Sequence, residues 1–291
     1  MMERRSVDLD GPVHYVDFGG KGRAIILVHG LGGSHANWLA VAPRLAQHGR
    51  VLAIDLAGHG RTPSLGRTAQ VGANKNLLGR FIDAVAGGSA TLVGNSMGGF
   101  ISLNEAAAEP DKVAGLVLVD PAVPTAPGAG FDGRVVAFFA SVLLPGVGGA
   151  VMRRRARRGP ERMVRDTLAL CCVDPSRVDP AIVAAHIAMA QERAGNGSVV
   201  GRDFLEAVRS LTAGLIRRRR FFEMVASIRA PALIVQGERD RLVRVEAARA
   251  LAAARPDWQI EVLDDIGHVP QLEAPDRFLA IVEPWLRAHA A

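Results

Sequence analysis

Residues 90–99 read Ala-Thr-Leu-Val-Gly-Asn-Ser-Met-Gly-Gly. The first four residues of this stretch are a short apolar run typical of a buried strand, and an alanine-rich segment with helical character follows. A serine between two glycines at such a strand-to-helix junction sits on a sharp turn with its hydroxyl exposed, because side chains at the glycine positions would collide with the strand and the helix. We therefore predict that Ser96 is a nucleophile.

Apolar runs alternate with amphipathic segments toward both ends of the chain. The pattern predicts strands at residues 13–18, 24–28, 51–56, 90–93, 113–119, 232–235 and 259–263, and helices at 38–48, 75–85, 97–108, 244–254 and 274–288. This alternation predicts an α/β fold, in which a mainly parallel central sheet carries helices on both faces. Residues 121–228 show helical sequence with little strand signal. We predict a core formed by residues 1–120 and 229–291, with a mostly helical cap inserted at 121–228.

Length and composition limit the function classes. The 291 residues include 49% hydrophobic residues, which suffices for one large core. Aromatic residues make up only 5%, and no nucleic-acid recognition motif is present, so we expect no nucleic-acid partner. Cys171 and Cys172 are adjacent, a spacing that disfavours an ordinary disulfide, and the first twelve residues lack the apolar segment of a signal peptide. These features predict a cytoplasmic protein.

The predicted cap carries the positive charge of the chain. Residues 121–228 hold sixteen arginines and nine acidic residues, against a net charge of +6 for the whole chain. Residues 135–152 carry no charge, and an arginine-rich run, residues 153–158, follows them. Proline and glycine interrupt the apolar run, so we predict a helix and turn that cover the active site rather than a membrane span. The alternative is that this apolar and basic segment contacts an anionic membrane surface.

A serine nucleophile needs a base within hydrogen-bond reach, and the base needs a carboxylate that fixes its tautomer. Asp240 and His268 follow two of the predicted parallel strands, so they lie at the sheet edge from which Ser96 also emerges. Asp120, at the end of its own strand, is the alternative carboxylate, although Asp120 followed by Pro121 also suits a connection into the cap. The histidines and carboxylates show no metal-ligand spacing, so we expect no metal site.

Five short motifs together resemble the α/β-hydrolase superfamily over nearly the whole chain. They are residues 29–33 (His-Gly-Leu-Gly-Gly), 55–60 (Asp-Leu-Ala-Gly-His-Gly), 94–98 (Gly-Asn-Ser-Met-Gly), 237–240 (Gly-Glu-Arg-Asp) and 267–268 (Gly-His). The resemblance implies that Ser96 is the nucleophile, His268 the general base and then acid, and Asp240 the orienting carboxylate. It also implies an oxyanion hole formed by the backbone N–H groups of Leu31 and Met97, and no cofactor.

The side chain at the nucleophile position narrows the chemistry. Epoxide hydrolases and haloalkane dehalogenases of this fold need an aspartate there, whereas Ser96 indicates acyl transfer. We predict hydrolysis of carboxylic esters with an apolar acyl or alcohol part. The Gly-Asn-Ser-Met-Gly-Gly spelling at residues 94–99 also resembles hydrolases that cleave C–C bonds of aromatic ring-fission products. Such a C–C hydrolase, or a ligand receptor on the same fold, is the alternative.

Overall fold

An eight-stranded sheet forms the centre of the structure, a computed structural model that describes residues 2–125, 132–144, 146–195 and 197–289. The strands are β1 (Glu3–Asp8), β2 (Pro12–Gly19), β3 (Ala24–Val28), β4 (Arg50–Ile54), β5 (Ala90–Asn95), β6 (Val113–Val119), β7 (Ala232–Gly237) and β8 (Gln259–Leu263). They lie in the order β1-β2-β4-β3-β5-β6-β7-β8. Strands β3 to β8 run parallel to one another, whereas β2 pairs antiparallel with both β1 and β4. The predicted α/β class and mainly parallel sheet are confirmed.

Helices occupy the connections from β3 onward and the segment after β8. They are α1 (Ala42–Leu45), α2 (Val71–Val85), α3 (Met97–Ala108), α4 (Gly133–Leu143), α5 (Val147–Ala156), α6 (Pro160–Cys171), α7 (Pro180–Ala194), α8 (Gly197–Ile216), α9 (Arg218–Ala226), α10 (Val245–Ala254), α11 (Pro270–Glu273) and α12 (Pro275–His289). Short 3-10 helices occupy His35–Trp38, Pro110–Lys112 and Pro175–Arg177.

The side chains of alternate residues in the central strands pack into two hydrophobic cores, one on each face of the sheet. In β3, Ile26 and Val28 pack into the core that includes helices α2, α3 and α10, whereas Ile25 and Leu27 pack into the core with α1 and α12. All five residues of β3 are buried, as expected for a parallel strand covered on both faces. The sheet therefore forms a rigid support, and its carboxyl-terminal edge carries the loops described below.

Helices α4 to α9 lie between β6 and β7, the stretch of sequence predicted to form the cap. Among the described residues, no single helix combines the length and apolar character that crossing a membrane requires. The pair formed by Val135–Leu143 and Val147–Ala156 meets those criteria only together, and the two helices are bent by 119° relative to each other.

Two elements differ from the sequence prediction. The helix predicted at residues 38–48 is wrong, because a 3-10 helix ends at Trp38 and the four-residue α1 replaces the rest. Pro43 lacks the backbone N–H that a continuous helix would use there. Strand β1 was not predicted, since it is an exposed edge strand whose sequence, Glu-Arg-Arg-Ser-Val-Asp, has no apolar alternation.

Candidate active site

Ser96 lies on the turn between β5 and α3 in a strained backbone conformation. Its φ of 54° and ψ of −116° fall outside the regions that residues with side chains ordinarily occupy. The backbone of β6 holds this turn in place, because Ser96 N–H donates to the carbonyl of Val119 at 3.0 Å. The Ser96 carbonyl in turn accepts the N–H of Ala122 at 3.0 Å and that of Phe100 at 3.1 Å. Three backbone hydrogen bonds therefore hold the turn in place. The Ser96 residue is only half-buried.

The small residues around Ser96 allow three backbone segments to meet. A Cβ on Gly98 would collide with the Val28 carbonyl oxygen, and one on Gly94 would lie 2.6 Å from the Gly98 carbonyl oxygen. A Cβ on Gly30 would lie 3.2 Å from Cβ of Ser96. The loop after β3, which contains Gly30 and Leu31, therefore runs alongside Ser96, and Met97 is the first residue of α3. Helix N-termini and tight turns present unpaired N–H groups, which is the chemistry an oxyanion hole requires.

The loops after β7 and β8 bring Asp240 and His268 into direct contact. His268 Nδ1 lies 2.6 Å from Oδ2 of Asp240, and both side chains are buried. The other carboxylate oxygen of Asp240 accepts the N–H groups of Leu242 at 2.7 Å and Val243 at 3.0 Å. These contacts fix the orientation of the carboxylate, which in turn fixes the imidazole with its Nδ1 toward the acid.

Asn95, the residue before Ser96, connects the histidine loop to the nucleophile turn. Its Nδ2 donates to the His268 carbonyl at 3.1 Å and to the Val119 carbonyl at 3.0 Å. The structure thus holds Ser96, Asp240 and His268 at one edge of the sheet. The sequence analysis did not single out Asn95 for this contact, because the partner is a backbone carbonyl 173 residues away.

Asp120 also lies beside this pair, at the end of β6. One side-chain ligand atom of each of Asp120, Asp240 and His268 lies within 4.8 Å of the other two, a grouping that could in principle hold a cation. Hydrogen bonds already occupy much of it, because Gln236 Nε2 donates to Asp120 Oδ1 at 2.8 Å and His268 donates to Asp240. A cation would have to replace these donors, so the donor set suits a hydrogen-bonded network better than a metal site.

A strap of cap residues, 169–177, is hydrogen-bonded to the loops that carry Asp240 and His268. The Cys171 carbonyl accepts the backbone N–H of His268 at 2.6 Å. Arg241, next to Asp240, donates to the carbonyls of Ala169 at 2.6 Å and Cys172 at 2.9 Å. The buried Glu273 accepts the N–H of Asp174 at 2.8 Å, on the strap, and that of Gly267 at 2.9 Å. The strap therefore helps to position both loops.

The cap side that faces the loop after β3 is apolar. Leu31 packs against a cluster built on α4, α5 and α8. The described members of this cluster are Phe138, Phe139, Val142, Leu143, Val151, Met152, Phe204, Leu205 and Val208. The ring of Phe204 approaches the loop most closely, since a Cβ on Gly32 would lie 3.4 Å from it. A substrate group bound beside this cluster would contact hydrocarbon.

Three histidines near the loops after β3 and β4 have structural contacts. His35 Nδ1 lies 3.0 Å from Oδ1 of the buried Asp55, a contact that the sequence analysis did not anticipate. Burial lowers the pKa of His29 to about 4 and that of His59 to about 3. His29 Nε2 accepts the N–H of Leu56 at 3.1 Å, so the neutral ring joins the two loops.

One comparison with known proteins identifies the family. The model described as "Alpha/beta hydrolase family" matches residues 25–281. The chain is 28% identical over 281 residues to a 2-hydroxy-6-oxononadienedioate/2-hydroxy-6-oxononatrienedioate hydrolase of Burkholderia vietnamiensis, covering 94% of this chain and 91% of the relative. It is 29% identical over 281 residues to the dihydrolipoyllysine-residue acetyltransferase component of an acetoin cleaving system of Pseudomonas putida, covering 95% and 67%.

Two solved structures have the same fold. A serine hydrolase involved in carbazole degradation has a TM-score of 0.72 at 26% identity, and the match covers 99% of this chain and 100% of that one. A putative lipase of Acinetobacter baumannii has a TM-score of 0.78 at 23% identity, with 99% and 91% covered.

Proposed function

The chain belongs to the alpha/beta hydrolase family, and we propose that it is a serine hydrolase that cleaves carboxylic esters with an apolar acyl or alcohol part. One observation carries the proposal: a histidine oriented by a buried carboxylate at 2.6 Å lies in the loop that Asn95 joins to a strained serine turn. These are the groups that acyl transfer through a covalent intermediate requires.

In the proposed mechanism, Ser96 attacks the ester carbonyl while His268 takes its proton at Nε2. Asp240 stabilises the imidazolium, and the N–H groups of Leu31 and Met97 bind the negative charge that develops on the carbonyl oxygen. His268 then protonates the departing alcohol, which leaves an acyl group on Ser96. A water molecule, deprotonated by the same histidine, hydrolyses that acyl-enzyme and restores the serine.

The apolar cluster above Leu31 supports an apolar substrate group. Each methylene buried there contributes about 0.8 kcal/mol to binding, so longer acyl chains are expected to lower KM until the space is filled. A charged group in the same place would lose its hydration without gaining a partner among the described members of the cluster.

A 4-nitrophenyl ester series from acetate to octanoate tests the proposal. We expect kcat/KM to rise with chain length and kcat to fall about 10⁴-fold or more in Ser96→Ala. The matched control is Ser102→Ala, because Ser102 is buried two turns further along α3 and its hydroxyl donates only to the carbonyl of Gly98 at 2.8 Å. Equal turnover by Ser96→Ala and the native protein contradicts the proposal.

The Burkholderia relative and the carbazole-pathway enzyme favour a second candidate, hydrolysis of a C–C bond in a ring-fission-type keto acid. Such a substrate carries carboxylates, which need cationic partners. Arg193 of α7 is half-buried, but its guanidinium already donates to the Gly58 carbonyl at 2.5 Å. It therefore has fewer hydrogen bonds to offer such a carboxylate. Turnover of a dienol keto acid at a higher kcat/KM than that of every ester would favour this second function. Labelling by a fluorophosphonate without turnover of either substrate would favour a receptor.

The junction of α4 and α5 supports a further part of the proposal, contact with an anionic membrane. Leu144 and Val147 are 53% and 42% exposed at this bend. Residues 133–160 contain no acidic residue, and Arg153, Arg154 and Arg157 are exposed on or just after α5 without a salt bridge among the described residues. Apolar side chains flanked by cations suit the boundary between lipid chains and anionic headgroups.

A further inference from the structure

A second buried carboxyl group lies beside the acid that orients His268. Asp120 and Asp240 are 0% and 3% exposed, and they belong to the group of side chains whose ligand atoms lie within 4.8 Å of one another. Two carboxylates this close and out of water repel each other strongly, so the pair holds one negative charge and shares one proton. The hydrogen bonds around each group indicate where the charge is.

Asp240 has the surroundings of an ionised carboxylate. Its Oδ2 accepts from His268 at 2.6 Å and faces Nε2 of Gln236 at 3.3 Å, and its Oδ1 accepts two backbone N–H groups. Asp120 accepts hydrogen bonds on Oδ1 alone, from Gln236 and from one backbone N–H, both at 2.8 Å. Its Oδ2 is buried and accepts no hydrogen bond. A neutral carboxyl group carries its proton on an oxygen of this kind.

We propose that Asp120 is a protonated carboxylic acid whose Oδ2–H donates a hydrogen bond to the Asp240 carboxylate, which makes it a positioning residue for the acid that orients His268. The inference deepens the proposed function, since it rests on His268 acting as the base. The backbone supports the placement: Asp120 adopts a φ of 43°, which few residues with side chains adopt, and its N–H donates to the Val235 carbonyl of β7 at 2.9 Å.

The electrostatics agree with this arrangement. Burial, then the charge of Asp240 and the hydrogen bond between the two groups, raise the pKa of Asp120 well above its usual value, and the N–H of Gly237 opposes them only in part. Glu273 adds a smaller effect in the same direction. Cys171, on the strap, faces the same groups as a neutral thiol, because burial raises its pKa to about 12. Of the two neighbouring aspartates, Asp240 alone then carries a charge beside His268.

The test follows the pKa of His268 by NMR in histidine-labelled protein, with the signal assigned by its loss in His268→Gln. Asp120→Asn keeps the shape of the side chain and replaces its O–H donor with an N–H donor. We expect the His268 pKa to move by less than about 0.3 unit and kcat/KM to stay within about threefold. If Asp120 instead carried a charge, its removal would lower the His268 pKa by about one unit or more, and that result overturns the proposal.

Asp120→Leu removes the donor without opening a cavity. The Asp240 carboxylate then holds the imidazolium more strongly, so we expect the His268 pKa to rise by about half a unit or more and kcat/KM to fall about tenfold or more. A role confined to packing would lower stability and leave the pKa in place, so identical titration in the Leu, Asn and native proteins overturns the proposal. Glu105→Gln is the matched control, because Glu105 is also a buried acid with a raised pKa but lies in α3 near Lys75.

If Asp120→Leu does not fold, infrared spectroscopy replaces it. In the Glu105→Gln/Asp203→Asn protein, in which the other two buried acids with raised pKa values are removed, we expect a protonated-carboxyl band at neutral pH. The absence of that band overturns the proposal. Neither spectroscopic measurement needs a substrate, so a failure of ester turnover would refute the proposed function without deciding the protonation of Asp120.

Discussion

The side chain of Asn95 donates a hydrogen bond of 3.1 Å to the backbone carbonyl of His268. The residue that precedes the nucleophile thus holds the loop of the base, and the turn and the loop cannot shift independently. Correct placement of a nucleophile and its base contributes several kcal/mol to catalysis, so a small displacement between them is costly.

Asn95→Ala is therefore expected to lower kcat by about tenfold to a hundredfold with a smaller effect on KM. The free energy of unfolding should fall by about 1–3 kcal/mol, because the His268 carbonyl loses the Asn95 donor and the Val119 carbonyl keeps only the N–H of Ser96. Ester kinetics and urea unfolding measure the two effects. Asn104→Ala is the control, since Asn104 donates only to the Phe100 carbonyl within α3. An unchanged kcat in Asn95→Ala would show that the contact has no catalytic consequence.

The close approach of α3 to β3 predicts opposite effects at two helical glycines. A Cβ on Gly98 meets the carbonyl oxygens of Val28 and His29, whereas one on Gly72 in α2 meets no atom within 4 Å. We expect Gly98→Ala to lower the free energy of unfolding by about 3 kcal/mol or more, and Gly72→Ala to raise it by about 0.5–1 kcal/mol. Thermal unfolding followed by circular dichroism compares them. Equal effects would contradict the packing described here.

Asp240→Asn should lower kcat by about 10³–10⁴-fold, because the amide can stabilise the histidine tautomer with its proton on Nε2, which cannot accept the serine proton. The rate of labelling by a fluorophosphonate should fall in parallel, whereas the far-ultraviolet circular dichroism spectrum should not change. Asp264→Asn, at an exposed aspartate on the same edge of the sheet, serves as the control. A loss of less than about tenfold would mean that another group orients the ring.

Two buried neutral histidines make stability depend on pH. The folded-state pKa values of His29 and His59, about 4 and about 3, lie below the ordinary value of 6.5, so the unfolded chain binds more protons as the pH falls. The stability they confer is complete above about pH 6.5 and is lost as the pH falls toward 4. The loss from His29 alone is about 3 kcal/mol.

His59→Gln should therefore flatten the dependence of unfolding free energy on pH between about 6.5 and 4. Urea unfolding at several pH values makes the comparison. The same slope in native and His59→Gln protein would argue against a buried neutral ring.

Co-sedimentation with vesicles tests the α4–α5 surface. We expect binding to vesicles rich in phosphatidylglycerol at low salt, weaker binding at high salt, and none to phosphatidylcholine alone. The double variant Arg153→Glu/Arg154→Glu should lose binding by about tenfold or more, since each cation near the surface contributes about 1 kcal/mol. Arg249→Glu/Arg287→Glu makes the same change in net charge at exposed positions on α10 and α12. An equal loss of vesicle binding in both variants would mean that the net charge of the protein, and not the α4–α5 surface, causes the binding.

Local sequence predicted the elements that local interactions determine. The helix at Met97–Ala108 and the strands at Val113–Val119 and Gln259–Leu263 match their predicted bounds, because apolar periodicity and flanking proline or glycine mark them. The expectation that Ser96, Asp240 and His268 share one edge followed from the order of parallel strands. Their catalytic roles stay predictions.

Other features depend on contacts between distant residues, which no local pattern contains. Asp55 and Asp120 both follow strands and look alike in sequence, yet one pairs with His35 and the other joins the network of Gln236. Glu273 gives no sequence signal of its position between the strap and the histidine loop. A buried polar group is recognisable as such only once its partners are known.

The strap described above also determines how the protein can admit a substrate. Its Cys171 carbonyl accepts the His268 N–H, its Ala169 carbonyl accepts from Arg241, and its Asp174 N–H donates to Glu273. These contacts join the strap to the segments that hold the base and its acid. A swing of the cap that lifted this end would take the base out of alignment, so opening there and turnover are mutually exclusive. A substrate path that leaves the strap in place would keep the catalytic groups aligned throughout the cycle.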